Sequence, residues 1–76
     1  MKEFINFIAR KLVDEPEAVD VTLLEDDDNL TIELRVAKED LGKVIGKQGR
    51  TARAMRTVLA TAAAKTGKRS RLEILE

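Results

Sequence analysis

The sequence predicts an α+β fold: one three-stranded sheet with three helices on one face, in the order helix, strand, strand, helix, helix, strand. Three observations predict it. Apolar residues recur at helical spacing over residues 2–13 and 50–65. They alternate at the strand period in two adjacent runs, 19–23 and 30–36, and again over 71–75. A chain of 76 residues is long enough for one domain, 1–76, with one small core. The helical stripes and the strand faces must therefore bury each other in two packed layers.

The elements follow in order. Ile5, Ile8, Ala9 and Leu12 share one face of the first helix, and Asp14-Glu15-Pro16 stops it, because proline disfavours helix at the residue before it. Val19, Val21 and Leu23 alternate with Asp20 and Thr22. Residues 25–29 are a polar turn, and Leu30, Ile32, Leu34 and Val36 alternate after it, so the two runs form an antiparallel hairpin. Lys38-Glu39-Asp40 opens a short helix, with its acids where the helix dipole favours them. Leu41, Val44 and Ile45 are its apolar face, and Gly46 ends it. Residues 50–65 form the longest helix, with Ala52, Met55, Val58, Leu59, Ala62 and Ala63 as its stripe. Gly67 closes it, and Leu72 and Ile74 alternate in a last strand over 71–75.

The net charge is zero, but its distribution is lopsided. Residues 1–40 carry 5 basic and 12 acidic side chains, whereas residues 41–71 carry 9 basic and none acidic. Thirty-one residues without a carboxylate are the footprint of a surface that attracts a polyanion.

Several chemistries lack their residues. With no cysteine and no histidine, neither a disulfide nor a Cys/His zinc site can form, and the usual bases and nucleophiles are missing. The single serine, Ser70, has no identifiable partner. Glu25-Asp26-Asp27-Asp28 lacks the alternating ligands and terminal glutamate of a calcium loop and reads as a solvated turn. Gly42 to Gln48 falls one residue short of a nucleotide-binding P-loop, and Gln48 stands where a magnesium-binding Ser or Thr belongs. No enzyme and no cofactor are expected. The apolar runs are too short to cross a bilayer, no signal-peptide pattern opens the chain, and the absence of cysteine fits a cytoplasmic protein.

The sharpest motif is Gly46-Lys47-Gln48-Gly49 between two helices. Two glycines let a sugar-phosphate backbone approach without meeting a Cβ. The start of the long helix adds free N–H groups and a positive dipole end. Lys47 supplies charge and Gln48 an amide; Lys43, Arg50 and Arg53 flank the loop, with Arg50 and Arg53 turned away from the apolar stripe. Arg56 lies at the edge of that stripe, where its stem can pack. Ile45 is a candidate apolar floor for a ligand and equally a candidate core residue.

Residues 44–50, Val-Ile-Gly-Lys-Gln-Gly-Arg, set in this order of elements, resemble the KH domain in its bacterial, type II arrangement. The resemblance covers the whole chain and is strongest to the small single-domain KhpA family, whose usual stretch is similar to Glu39–Arg50 here. Lys38 departs from it, standing where that family has a proline that would preset the first helical turn. The resemblance implies single-stranded RNA, about four nucleotides of it, clamped at the GxxG loop. It implies an opposite wall made by the last strand and the basic loop before it, which holds Lys68 and Arg69. It further implies a small RNA chaperone or post-transcriptional regulator, paired as a homodimer or with a second KH-containing RNA-binding protein. The rival reading is a protein-interaction module, a dimerising subunit of a larger RNA-binding complex. Phe7, roughly opposite Ile5 and Ile8 on the first helix, is then either an ordinary exposed apolar residue or part of a partner surface.

Overall fold

Leu30, Ile32 and Leu34 point to one side of their strand, Val36 follows it directly, and all four are buried, so this strand is the spine of the core. In a computed structural model, which describes residues 2–76, it is β2 (Asn29–Arg35), the middle of three strands. β1 (Asp20–Glu25) pairs with it antiparallel, with Val21 opposite Leu34 and Leu23 opposite Ile32. β3 (Arg69–Leu75) pairs on the other side in parallel, with Leu72 opposite Ile32. A parallel pair needs a long crossover, and here the crossover carries both helices of the basic half, α2 (Leu41–Ile45) and α3 (Arg50–Ala64). α1 (Lys2–Leu12) packs on β1 and β2, α3 packs along β3, and α2 lies against both helices. The architecture is the expected α+β layering, in the order α-β-β-α-α-β.

Ile5 and Ala9 of α1, Val44 of α2, and Ala52, Met55, Leu59 and Ala63 of α3 close over the sheet. At about 25 cal/mol per Å² of apolar surface removed from water, fully burying one such large side chain stabilises the fold by roughly 1.5–3 kcal/mol. Among the described residues no helix is long and apolar enough to cross a membrane.

The structure corrects several details. α1 ends at Leu12, which is largely exposed, and Pro16 opens a short 3-10 turn, Pro16–Ala18. Val19 lies just before β1, and Leu23 is exposed although its parity points inward, because β1 is an edge strand that the helices cover only near Val21. Val58 was expected in the α3 stripe but is exposed, since Ala52, Met55, Leu59 and Ala63 already fill the strip facing the sheet. β3 begins at Arg69 rather than at residue 71, because the Arg69 N–H donates to the Asp28 carbonyl and extends the pairing back to Asn29. The acidic run is a hairpin turn, as read: Asp26 accepts the N–H groups of Asp28 (2.8 Å) and Asn29 (2.7 Å), and these hold its carboxyl below the usual range. Phe7 is exposed, with the Lys11 ammonium 5.4 Å from its ring centre.

Candidate nucleic-acid interface

The loop between α2 and α3 takes its shape from three departures from ordinary backbone within four residues. Gly46 has φ 80°, Gln48 φ 58° and Gly49 φ 73°, all in the region that L side chains avoid. Gly46 is also crowded: a Cβ placed on it would lie 2.3 Å from Thr51 Oγ1 and 2.9 Å from the Thr51 backbone nitrogen. Gly49 has open space around it, so only its φ favours glycine. The Gly46 N–H closes α2 on the Gly42 carbonyl, and the Gly49 N–H donates to Gly46.

This turn presents the start of α3. No side chain caps that helix, and its first turn holds no acidic residue. Arg50 and Arg53 stand there instead, where the positive end of the dipole works against a cation. Arg50 donates to the Gln48 side-chain carbonyl at 3.2 Å, which folds the exposed amide over the loop. Among the described residues, Lys47, Arg50 and Arg53 have no carboxylate partner. Arg50 and Arg53, with Ala54, Thr57 and Val58, line a shallow open depression of about 430 Å³ on the outer face of α3. Ile45 is exposed and lies outside the core, whose α2 contribution is its neighbour Val44.

The remaining candidates sit elsewhere or are engaged. Lys43 lies on α2 with its ammonium on Asp14 (2.5 Å) and Asp40 (3.4 Å); the bond to Asp14 raises its pKa against the opposing effect of burial, and Asp40 adds to the rise. Lys68 is paired with Glu25. Arg69 begins β3 and lines a cavity beside the hairpin turn with Asp26, Asn29 and Arg71. Both lie beyond the far end of α3, whose 15 residues span about 22 Å at 1.5 Å each. The structure therefore brings together Ile45, Gly46, Lys47, Gln48, Gly49, Arg50 and Arg53, with Lys43 one helical turn back on α2 but engaged with Asp14 and Asp40, and leaves Lys68 and Arg69 beyond the far end of α3.

Asp40 stands at the start of α2, where the helix dipole favours an acid, and it has further partners that the sequence does not show. Its side chain is buried and accepts the backbone N–H groups of Asp14 (3.2 Å) and Glu15 (3.1 Å), together with the Lys43 ammonium. Burial pushes its carboxyl up, but the two N–H groups and Lys43 outweigh burial and hold it below the ordinary value. A carboxyl lowered on folding adds stability that is present above its unfolded value, about 4, and lost as pH falls through the lower folded value. Thermal melts should therefore fall off below about pH 4, and Asp40→Asn should flatten part of that acid limb while melting lower than wild type at pH 7.

Comparison with known proteins matches this fold. The family model described as KhpA/KhpB, KH domain, matches residues 2–74. The chain is 49% identical over 75 residues to the RNA-binding protein KhpA of Clostridium perfringens, covering 99% of this chain and all of the relative. It is 51% identical over 76 residues to the protein of that name from Listeria monocytogenes, covering both chains completely. It is also 51% identical over 76 residues to the one from Aquifex aeolicus, covering all of this chain and 96% of the relative. No solved structure is significantly similar to it. With one model matched almost from end to end and half the residues shared with full-length relatives, the chain belongs to the KhpA/KhpB family of KH domains.

Proposed function

We propose that this chain binds single-stranded RNA, about four nucleotides at a time, in a groove clamped by residues 46–49, and that it has no enzymatic activity. One observation carries the reading. Three exposed cations, Lys47, Arg50 and Arg53, which have no acidic partner among the described residues, crowd the uncapped start of a helix, behind a left-handed turn that keeps two glycines at its ends. Stability alone would place acids there, so the arrangement suits a bound phosphate. The relatives are named RNA-binding proteins, which agrees. Binding and release of short single strands without chemistry fits a small RNA chaperone or post-transcriptional regulator in the cytoplasm.

The only aromatic residues are Phe4 and Phe7, both on α1. Base stacking, worth about 1–3 kcal/mol per base, has no partner near the loop, so affinity is modest and electrostatic. Three phosphate contacts at about 0.7 each give a slope of log K against log salt near −2. Titrating a short single-stranded RNA and its duplex at several salt concentrations tests the reading. The expected result is that slope and weaker binding of the duplex, because a small groove must splay individual bases. A much steeper slope with equal or better duplex binding would make the whole basic half a nonspecific surface.

A second reading, a dimerising subunit of a larger RNA-binding complex, is favoured by the exposed apolar residues Phe4 and Phe7 on α1 and Val58 on α3. Sedimentation with and without RNA separates the two. A homodimer or a complex with a second KH protein that survives Lys47→Asp supports the subunit role; a monomer at all concentrations removes it for the homodimer.

A further inference from the structure

The five residues of α2 make less than one and a half turns, too few for a helix to hold its own shape in water. Its placement must come from outside: partly buried Leu41 packs against the core, and two fully buried residues, one apolar and one charged, add to it. Val44 is fully buried in the core. Asp40, at the N-terminal boundary of α2, bonds to the corner after α1 through Asp14 and Glu15, some 25 residues away in sequence. Among the described residues, no side-chain hydrogen bonds reach α2 and its boundary except those of Asp40 and Lys43. The other end of α2 is Gly46, the first residue of the loop. Whatever fixes α2 therefore fixes the approach of the loop to its ligand.

We propose that Asp40 is a positioning residue for RNA binding, and that Lys43 completes its tie to the α1 corner instead of contacting an RNA phosphate. This rests on the RNA-binding reading above. A buried carboxylate is an expensive device, and apolar replacements of buried ion pairs are often at least as stable. What the charge supplies here is direction: two backbone N–H groups and one ammonium accept a single placement of α2. Two of the three donors of the Lys43 ammonium are held by carboxylates, and both carboxylates would repel an approaching phosphate.

The sign of one substitution separates this role from simple charge. If Asp40 acted on RNA only through its field, Asp40→Asn would remove a repulsive charge and tighten binding. As a positioning residue, its loss weakens binding. A loop held in the competent geometry in only a tenth of the molecules binds about tenfold more weakly. The number of phosphates contacted, and hence the salt slope, stays the same.

The experiment titrates a labelled single-stranded RNA hexamer of mixed sequence with wild type, Asp40→Asn, Lys43→Met and Lys47→Met between 0.05 and 0.3 M salt. Circular dichroism first establishes that each variant is folded. The proposal expects Asp40→Asn to bind about tenfold more weakly at every salt concentration with an unchanged slope. It expects Lys43→Met to bind more weakly with its slope also intact, and Lys47→Met to lose about 0.7 of slope. Equal or tighter binding by Asp40→Asn overturns the proposal, as does a slope loss in Lys43→Met matching that of Lys47→Met. Should Asp40→Asn not fold, Lys43→Met decides alone: weaker binding at intact slope upholds the tie, and unchanged binding overturns it. If Lys47→Met leaves affinity and slope untouched, the RNA-binding reading of the loop has failed, whatever Asp40 does.

Discussion

A Lys47→Asp/Gln48→Asp variant is expected to lose RNA binding by at least about a hundredfold while gaining slightly in stability. Hydrogen bonds to charged groups contribute about 1.5–3 kcal/mol. Losing two contacts and setting two carboxylates against phosphates exceeds the roughly 2.8 kcal/mol that a hundredfold represents. The fold has reasons to tolerate the change. Both side chains are exposed, both glycines remain, and aspartate enters the left-handed region at position 48 more readily than glutamine. Two acids just before α3 also suit the helix dipole, by about 0.3–1 kcal/mol each. Binding and melting temperature should thus move in opposite directions, and fluorescence anisotropy with thermal denaturation checks both. Unchanged affinity in a folded double variant removes the loop as the site.

The second large effect separates the two glycines of the motif. At Gly46 a methyl group meets Thr51, including its backbone nitrogen, and the residue must also hold φ 80°. With ψ 170° this is a backbone region almost closed to L residues, costing about 1–3 kcal/mol, and forcing extra volume into a packed position costs about 1–3 more. Gly46→Ala should therefore cost about 2–6 kcal/mol. In a domain this small, whose core rarely supplies more than about 3–5 kcal/mol, that approaches unfolding at room temperature. Gly49→Ala has open space and should cost only the conformational term, about 1–2 kcal/mol. Urea denaturation of the two variants gives the comparison. Equal costs would mean that the Thr51 contact yields freely.

What the sequence revealed, and what it concealed, follows from the range of the interactions. The strands were legible because Leu30, Ile32, Leu34 and Val36 each report their own face, residue by residue. The loop was legible because glycine at 46 and 49 and cations at 47, 50 and 53 are local requirements of one turn and one helix start. Asp40 was not. Its bonds to Asp14 and Glu15 cross 26 and 25 residues, and in its own neighbourhood it looks like any acid at a helix start. The ion pair of Lys43 with Asp14 was hidden for the same reason, since the two lie 29 residues apart in sequence. Val58 was drawn into the α3 stripe because an apolar residue beside Leu59 fits a helical period, whereas the width of the buried strip is set by the sheet beneath it. Leu23 has the parity of a core residue, but how far the helices reach over an edge strand is a property of the packed layers.

The central claim, that RNA lies at the loop and the start of α3, is tested most directly by backbone amide chemical shifts. The 15N-labelled chain is titrated with a short single-stranded RNA at low salt. The account predicts that the largest changes fall on residues 45–53, with smaller ones along the last strand, and that the outer face of the sheet (Thr22, Leu24, Thr31, Glu33) stays still. Changes concentrated on that face or on α1, with residues 46–50 unmoved, would contradict it.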